Sequence, residues 1–374
     1  MIYKSFKDKK LSMLGLGCMR LPGGGRFTGE IDMDATSEMV EYAIKNGVNY
    51  FDTAWGYHEK QSEIVMGKIL KNYPRESFYI ATKFPGFNTE IMEKKEEIFE
   101  EQLKKLQMDY VDFYLFHCLS DASVEWYLDP KYGLMDYMLE QKAKGRIKHI
   151  GVSVHASLET LTRFLDAYGK HIEFCQLQLN WLDWDYQDAK AKVNLLNERN
   201  IPVWVMEPLR GGKLASFYEQ HQAILNQFNP NYSAVEWSFR HLQSIPGVSV
   251  VLSGMSNMDQ LSENIRIFET EQPLNEQEIR ALYTIANDLV HTVPCTACRY
   301  CTPACPNEID IPEMIKIYNE QIFARGEIPA SKLQDVPQEK QPAACIGCGA
   351  CESLCPQNIK ISEVMKDFVS KTKE

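Results

Sequence analysis

Two copies of one cysteine pattern limit how the end of this chain can fold. Cys295, Cys298, Cys301 and Cys305 followed by Pro306 spell CxxCxxCxxxCP, and Cys345, Cys348, Cys351 and Cys355 followed by Pro356 spell it again. Two-residue spacers let three thiolates wrap one face of an iron-sulfur cubane, and the proline turns the chain away after a fourth. Structural zinc usually collects its cysteines as two separated CxxC pairs, so the pattern points to two 4Fe-4S clusters rather than zinc. Of the chain's eleven cysteines only Cys18, Cys118 and Cys175 lie elsewhere. They sit in apolar, strand-like runs and read as small buried hydrophobes.

Between the motifs, Ile311, Met314, Ile315, Tyr318 and Ile322 recur at helical spacing, and residues 359–368 read as a second short helix. From residue 287 to its end the chain resembles the helical type of two-cluster ferredoxin, a module that passes single electrons between redox centres. In such ferredoxins the fourth cysteine of each motif serves the other cluster. The resemblance therefore implies the sets Cys295, Cys298, Cys301 with Cys355, and Cys345, Cys348, Cys351 with Cys305.

The remaining residues are enough for a second, larger domain, since 374 residues exceed the usual size of one. A composition of 44% apolar and 24% charged residues is that of an ordinary globular protein. With 40 basic against 51 acidic residues the net charge is -11, which disfavours nucleic acid as a partner. The first thirteen residues are polar and lysine-rich and no apolar run is long enough to span a bilayer, so the expectation is a cytoplasmic protein with no membrane contact. In that reducing compartment a disulfide framework is not expected.

Upstream of the cysteines, short β-branched or aromatic runs alternate with amphipathic helical stretches, the pattern of a parallel α/β fold. Eight runs are visible, at residues 14–18, 49–53, 78–83, 111–117, 149–153, 174–179, 202–206 and 248–253. Eight strand-helix units in this length suit a TIM barrel better than a doubly wound sheet. No GxGxxG follows the first run, where a dinucleotide-binding doubly wound fold places it. Gly23, Gly24 and Gly25 read as a flexible loop, and Gly211 with Gly212 are too few for a P-loop. The expected division is 1–285 for the barrel and 286–374 for the cluster domain.

A TIM barrel keeps its active site at the carboxyl ends of its strands. Asp52 closes the second run, Tyr57 follows it, Lys83 closes the third and His117 closes the fourth. With the segments FDTAWGY, TKF, FHC, GVS, QLQLN, PLRGG and LSGMSNMDQLSENI, residues 1–285 resemble the aldo-keto reductase superfamily. That family is a (β/α)8 barrel that binds an extended NAD(P)H and reduces carbonyls through an Asp, Tyr, Lys and His tetrad. The resemblance puts those roles on Asp52, Tyr57, Lys83 and His117. An adjacent ammonium favours the phenolate, so Lys83, held by Asp52, is expected to lower the pKa of Tyr57. Tyr57 then acts as the acid and His117 orients the carbonyl oxygen.

The same resemblance places Gly17, Cys18 and Met19 along the nicotinamide ribose and Ser153 and Gln176 on the carboxamide. It places Met206 under the ring, with Pro208, Leu209 and Gly211 of the PLRGG segment beside the cofactor, and Ser253, Gly254, Gln260, Glu263 and Asn264 at the adenosine end. Two positions depart from the family: Val154 stands where it often has Asn, and Met206 stands where an aromatic ring usually stacks. A thioether still packs on a ring face, and the looser hold leaves room for a flavin, although no flavin motif is present. Gly254, Met255 and Gln260 replace the basic or hydroxyl residues that commonly hold a 2′-phosphate, with Arg210 or Lys213 as substitutes, so NADH and NADPH both stay open.

The implied function is an NAD(P)H-dependent oxidoreductase of a carbonyl-type or quinone-like substrate, fused to an electron-transfer module that exchanges electrons with the barrel or with an external carrier. Two alternatives stay open: a carbonyl reductase with structural or redox-sensing clusters, and an idle, nucleotide-sensing barrel serving an electron-transfer module. Substrate choice is expected to lie in residues 121–137 and 210–232, with Trp126, Tyr127, Trp181 and Trp184 as an aromatic wall or as ordinary core.

Overall fold

Every one of the eight runs forms a strand, and the eight strands close on one another. The computed structural model describes residues 1–23, 30–289, 293–323 and 328–373. Gly24 and Gly25, and the side chain of Ile322, lie outside what is described. An antiparallel hairpin, β1 (Tyr3–Phe6) and β2 (Lys9–Ser12), comes first. The barrel strands are β3 (Leu14–Gly17), β4 (Tyr50–Asp52), β5 (Tyr79–Phe84), β6 (Val111–Leu119), β7 (Ile147–Val154), β8 (Phe174–Gln178), β9 (Val203–Met206) and β10 (Val248–Ser253). Each pairs in parallel with its sequence neighbours, and β10 pairs with β3 to complete the ring. Parallel strands buried on both faces read as continuous apolar runs, which is why β6 is buried along nearly its whole length.

Between strands the chain forms the helices Met33–Lys45, Ser62–Leu70, Lys95–Leu106, Leu134–Ala143, Leu158–Tyr168, Ala189–Glu198 and Ala234–Gln243, and Met258–Ile267 follows β10. Side-chain caps start several of them: Asp32, Ser157, Ser233 and Asn257 each accept from the backbone N–H three residues on. Inside the barrel a layer of Tyr50, Phe113, Phe174, Trp204 and Val250 packs with Phe6 and Leu11 of the hairpin. The Phe6 ring lies 5.1 Å from Trp204 and 5.7 Å from Phe113, so β1 and β2 stop the amino-terminal mouth. This crowding needs Gly151 in β7, where a Cβ would come within 2.4 Å of the Phe174 ring.

The chain divides into two compact units, Met1–Leu209 with Tyr232–Asn275, and Arg210–Asn231 with Glu276–Glu374. Residue 285, the expected boundary, falls inside the helix Glu276–Leu289 of the second unit. That unit also contains the helices Glu219–Leu225, Ile311–Phe323 and Ile361–Lys371 and a two-stranded sheet of β11 (Ile328–Pro329) and β12 (Thr372–Lys373). Its core joins Ile309, Ile311, Met314, Ile315, Met365 and Phe368 to Cys295, Cys301 and Cys351.

Candidate active site and cluster cavities

The carboxyl ends of β4, β5 and β6 bring Asp52, Lys83 and His117 together. Lys83, wholly buried, donates to Asp52 Oδ1 at 2.5 Å, to the Thr53 carbonyl at 2.8 Å and to the Tyr57 phenol oxygen at 3.4 Å. The His117 ring meets the Tyr57 ring edge-on at 6.0 Å. After His117 the pairing of β6 with β7 slips between Phe116 and Leu119, and Cys118 takes a left-handed φ of 57°. Such a bulge re-aims the side chain beside it. The Tyr127 hydroxyl and the Ser153 hydroxyl hold the distortion, one donating to the His117 carbonyl at 2.6 Å and the other accepting from the Cys118 N–H at 2.8 Å.

The electrostatics correct one expectation. Burial, followed by the Asp52 carboxylate, holds the Tyr57 phenol well above its ordinary pKa instead of lowering it. The Lys83 ammonium, paired with Asp52 and 3.4 Å from the phenol oxygen, does not offset the cost of burying the phenolate. Burial, then Lys83 and His155, holds the His117 imidazole well below its ordinary value. At neutral pH the site therefore presents a protonated phenol and a neutral imidazole.

The positions expected to hold a nicotinamide fall on adjacent strand ends, with Ser153 of β7 in register with Gln176 of β8. Gln176 donates to the Met206 sulfur at 3.7 Å, and its buried Oε1 has no partner among the described residues. A buried acceptor of this kind fits the amide of a carboxamide. Gly17 at the end of β3 lies so close to β10 that a Cβ there would sit 3.3 Å from the Ser253 carbonyl. The Cys18 N–H donates to the Asp52 carbonyl at 2.8 Å, and Met19 follows it in the chain. Among the residues expected at an adenosine end, Asn264 donates to Ser253 Oγ at 3.1 Å, Gln260 accepts from the Ser256 N–H at 2.8 Å, and Glu263 accepts from Ser233 at 2.7 Å. Arg20, which sequence reasoning passed over, runs beside Gly254. Pro208 and Leu209 follow β9, whereas Arg210, Gly211 and Lys213 fall in the segment that groups with the second unit.

Of the proposed aromatic wall, Tyr127 and Trp181 are core residues, Trp181 donating to Ser238 Oγ at 3.0 Å. Trp126 and Trp184 are partly buried against the same core. Phe87, 42% exposed, has its ring 5.2 Å from that of His117. Nothing in the local sequence distinguishes it from any loop phenylalanine. Glu207 was also missed: it follows β9 with a left-handed φ of 54° and its carboxylate is near enough to Tyr57 to help raise the phenol.

In the second unit the eight cysteines surround two cavities. One is lined by Cys295, Cys298, Cys301 and Cys355, and the other by Cys305, Cys345, Cys348 and Cys351. Each cavity thus takes three thiols from one motif and the fourth from the other. Burial and then Cys298, Cys295 and Cys355 push the Cys301 thiol up to about 12, while burial, with Cys345 and Cys305 among the lesser causes, pushes Cys351 up to about 11. The duplication extends to the backbone. Ala297 and Gly347, Arg299 and Gly349, and Glu308 and Asn358 occupy equivalent places in the two motifs and all have left-handed φ. The Ala297 N–H donates to the Cys295 sulfur at 3.3 Å, and Asn307 of the first motif donates to the Ala344 carbonyl before the second at 2.6 Å.

Two family models cover most of the chain: one described as the aldo/keto reductase family matches residues 13–287, and one described as a 4Fe-4S dicluster domain matches residues 294–359. Among curated relatives, a protein named probable aldo-keto reductase 1 from Glycine max is 26% identical over 73% of this chain and 85% of its own length. The NADH-specific methylglyoxal reductase of Escherichia coli (strain K12) is 29% identical over 55% of this chain and 66% of its own. The solved structure of aldo-keto reductase AKR11C1 from Bacillus halodurans, in its holo form, superposes with a TM-score of 0.63 at 23% identity, covering 76% of this chain and 96% of that one. An aldo/keto reductase from Klebsiella pneumoniae in complex with NADP and acetate superposes with a TM-score of 0.60 at 20% identity, covering 75% of this chain and 93% of its own.

Proposed function

Since the chain belongs to the aldo/keto reductase family and carries a 4Fe-4S dicluster domain, we propose that it is an NAD(P)H-dependent reductase of a carbonyl-type or quinone-like substrate, acting through Asp52, Tyr57, Lys83 and His117, with two clusters for electron transfer. The observation that carries this reading is the buried Lys83, 2.5 Å from Asp52 and 3.4 Å from the Tyr57 oxygen, with His117 beside the phenol. When bound, nicotinamide supplies a hydride and the clusters supply single electrons. The chain's own residues do the rest. Asp52 holds the Lys83 ammonium against the phenol, Tyr57 gives its proton to the developing alkoxide, and Lys83 stabilises the phenolate left behind. His117, neutral, orients the carbonyl oxygen. Ser153, Gln176 and Met206 hold the nicotinamide end, with Gly17, Cys18, Met19, Pro208 and Leu209 along its length and Ser253, Gly254, Gln260, Glu263 and Asn264 at the adenosine end. The exposed ring of Phe87 beside His117 favours an apolar or planar substrate.

The cluster ligands are Cys295, Cys298, Cys301 with Cys355, and Cys345, Cys348, Cys351 with Cys305. Four thiols around each cavity, three from one CxxCxxC run and the fourth from the other motif, match a 4Fe-4S cluster better than zinc, which usually takes two separated CxxC pairs. Relatives bind either nucleotide by name, one NADH-specific and one in complex with NADP, and this chain's preference falls to the residues around Gly254 and Gln260. Among the described residues no helix is long and apolar enough to cross a membrane.

The pH profile of carbonyl reduction tests the acid. A phenol raised above its ordinary value stays protonated as pH rises, and an imidazole lowered below its own stays neutral as pH falls. The limiting rate is therefore expected to be flat from roughly pH 6 to pH 9, with no limb at the usual histidine or lowered-tyrosine position. A rate that falls between pH 7 and pH 9 means the phenol ionises there and Lys83 governs it after all.

A further inference from the structure

We infer that His58 is a positioning residue that ties the backbone of residues 18–21 to the turn presenting Tyr57; this rests on the reading of Tyr57 as the acid and of that backbone as the nicotinamide-lining loop. His58 follows Tyr57 directly, and its side chain is wholly buried between the exposed Gly56 and the exposed Glu59 and Lys60. Its Nε2 accepts the Leu21 N–H at 3.1 Å. An accepting Nε2 carries no proton, so the neutral ring bears it on Nδ1. Burial lowers the imidazole to about 4, which keeps the acceptor available at working pH.

The same turn grips the loop at its other end. Ser62 Oγ donates to the Cys18 carbonyl at 2.9 Å and pairs with Thr53 Oγ1 at 2.8 Å, while the Cys18 N–H donates to the Asp52 carbonyl. Residues 18–21 are thus fastened by the Asp52 carbonyl before Tyr57 and by the His58 and Ser62 side chains after it. The backbone is strained to achieve this: His58, Glu59 and Lys60 have consecutive φ values of 50°, 51° and 72°. Left-handed backbone is unfavourable for an L residue, and none of the three is a glycine, which adopts it freely. Strain of this sort persists only where the surroundings over-determine it, and it collects at functional sites. Its effect here is to turn His58 inward immediately after the acid.

A core histidine and a positioning histidine part company on cofactor affinity. NADPH and NADH are titrated into anaerobically prepared, cluster-loaded full-length protein by quenching of tryptophan fluorescence. His58→Leu, which fills the space without an acceptor, is expected to weaken nucleotide binding roughly tenfold, the scale for leaving one buried N–H unpaired. His58→Gln, which restores an acceptor, is expected to recover most of it. Tyr57→Phe is expected to bind normally while losing turnover, so a failure of the tetrad reading shows as an active Tyr57→Phe and is distinct from a failure at His58. Binding by His58→Leu within twofold of wild type, or a His58→Gln as weak as His58→Leu, overturns the inference. Histidine-selective 15N spectra of the wild-type protein decide the matter even if a variant does not fold. The expected His58 signal is a neutral ring protonated on Nδ1 at pH 7, and a cationic or Nε2-protonated ring overturns the proposal.

Discussion

Tyr57→Phe is expected to lower kcat for carbonyl reduction by about a hundredfold or more, the usual scale for removing a general acid, while the affinity for NAD(P)H stays within a factor of about two. Only the hydroxyl is lost. The phenol oxygen accepts from Lys83 at 3.4 Å, so the variant leaves Lys83 with Asp52 and the Thr53 carbonyl as partners, and the site keeps its shape. A loss seen equally in kcat and kcat/KM is the signature of a group that acts only in the transition state. Steady-state kinetics with cluster-loaded protein measure both constants, and a Tyr57→Phe enzyme of normal kcat would assign the proton to another group. His117 is a poor substitute because burial keeps its ring neutral.

The second large effect concerns the crossed cavities. Loaded protein is expected to hold about eight irons per chain, and Cys305→Ala about four, because each 4Fe-4S cluster needs its full thiolate set. Cys305 lies in the first motif but lines the cavity of the second. Pairing Cys305→Ala with Cys348→Ala should therefore cost no further iron, whereas pairing it with Cys298→Ala should remove nearly all. Independent motifs predict the reverse. Iron and acid-labile sulfide assays on anaerobic preparations distinguish the two arrangements.

The barrel was legible because each parallel strand is a continuous apolar run between helix signals. The run 248–253 coincides with β10, and the others agree with their strands to within two residues at each end. The hairpin was not legible. YKSF and KKLS are short, lysine-rich and only partly buried, and their role appears only when Phe6 and Leu11 reach the barrel interior. Asp52, Lys83 and His117 were readable as polar residues ending apolar strands, yet the direction of the Tyr57 pKa was not, because it depends on burial and on the Asp52 carboxylate. Phe87, Glu207 and His58 carry no local signal at all. Each matters through a tertiary contact or a left-handed backbone that spacing does not encode. The segment Arg210–Asn231 lies between two barrel strands in sequence and groups with the second unit by contacts that only folding creates.

The most direct test of the account is anaerobic oxidation of NADH and NADPH by the cluster-loaded chain, followed at 340 nm against a panel of aldehydes, ketones, activated enones and quinones. The account predicts substrate-dependent oxidation with at least one apolar or planar member, lost in Tyr57→Phe at equal cluster content. No oxidation of either nucleotide with any member, by protein that binds the nucleotide and holds its iron, would contradict it and leave the barrel a sensor or scaffold for its clusters.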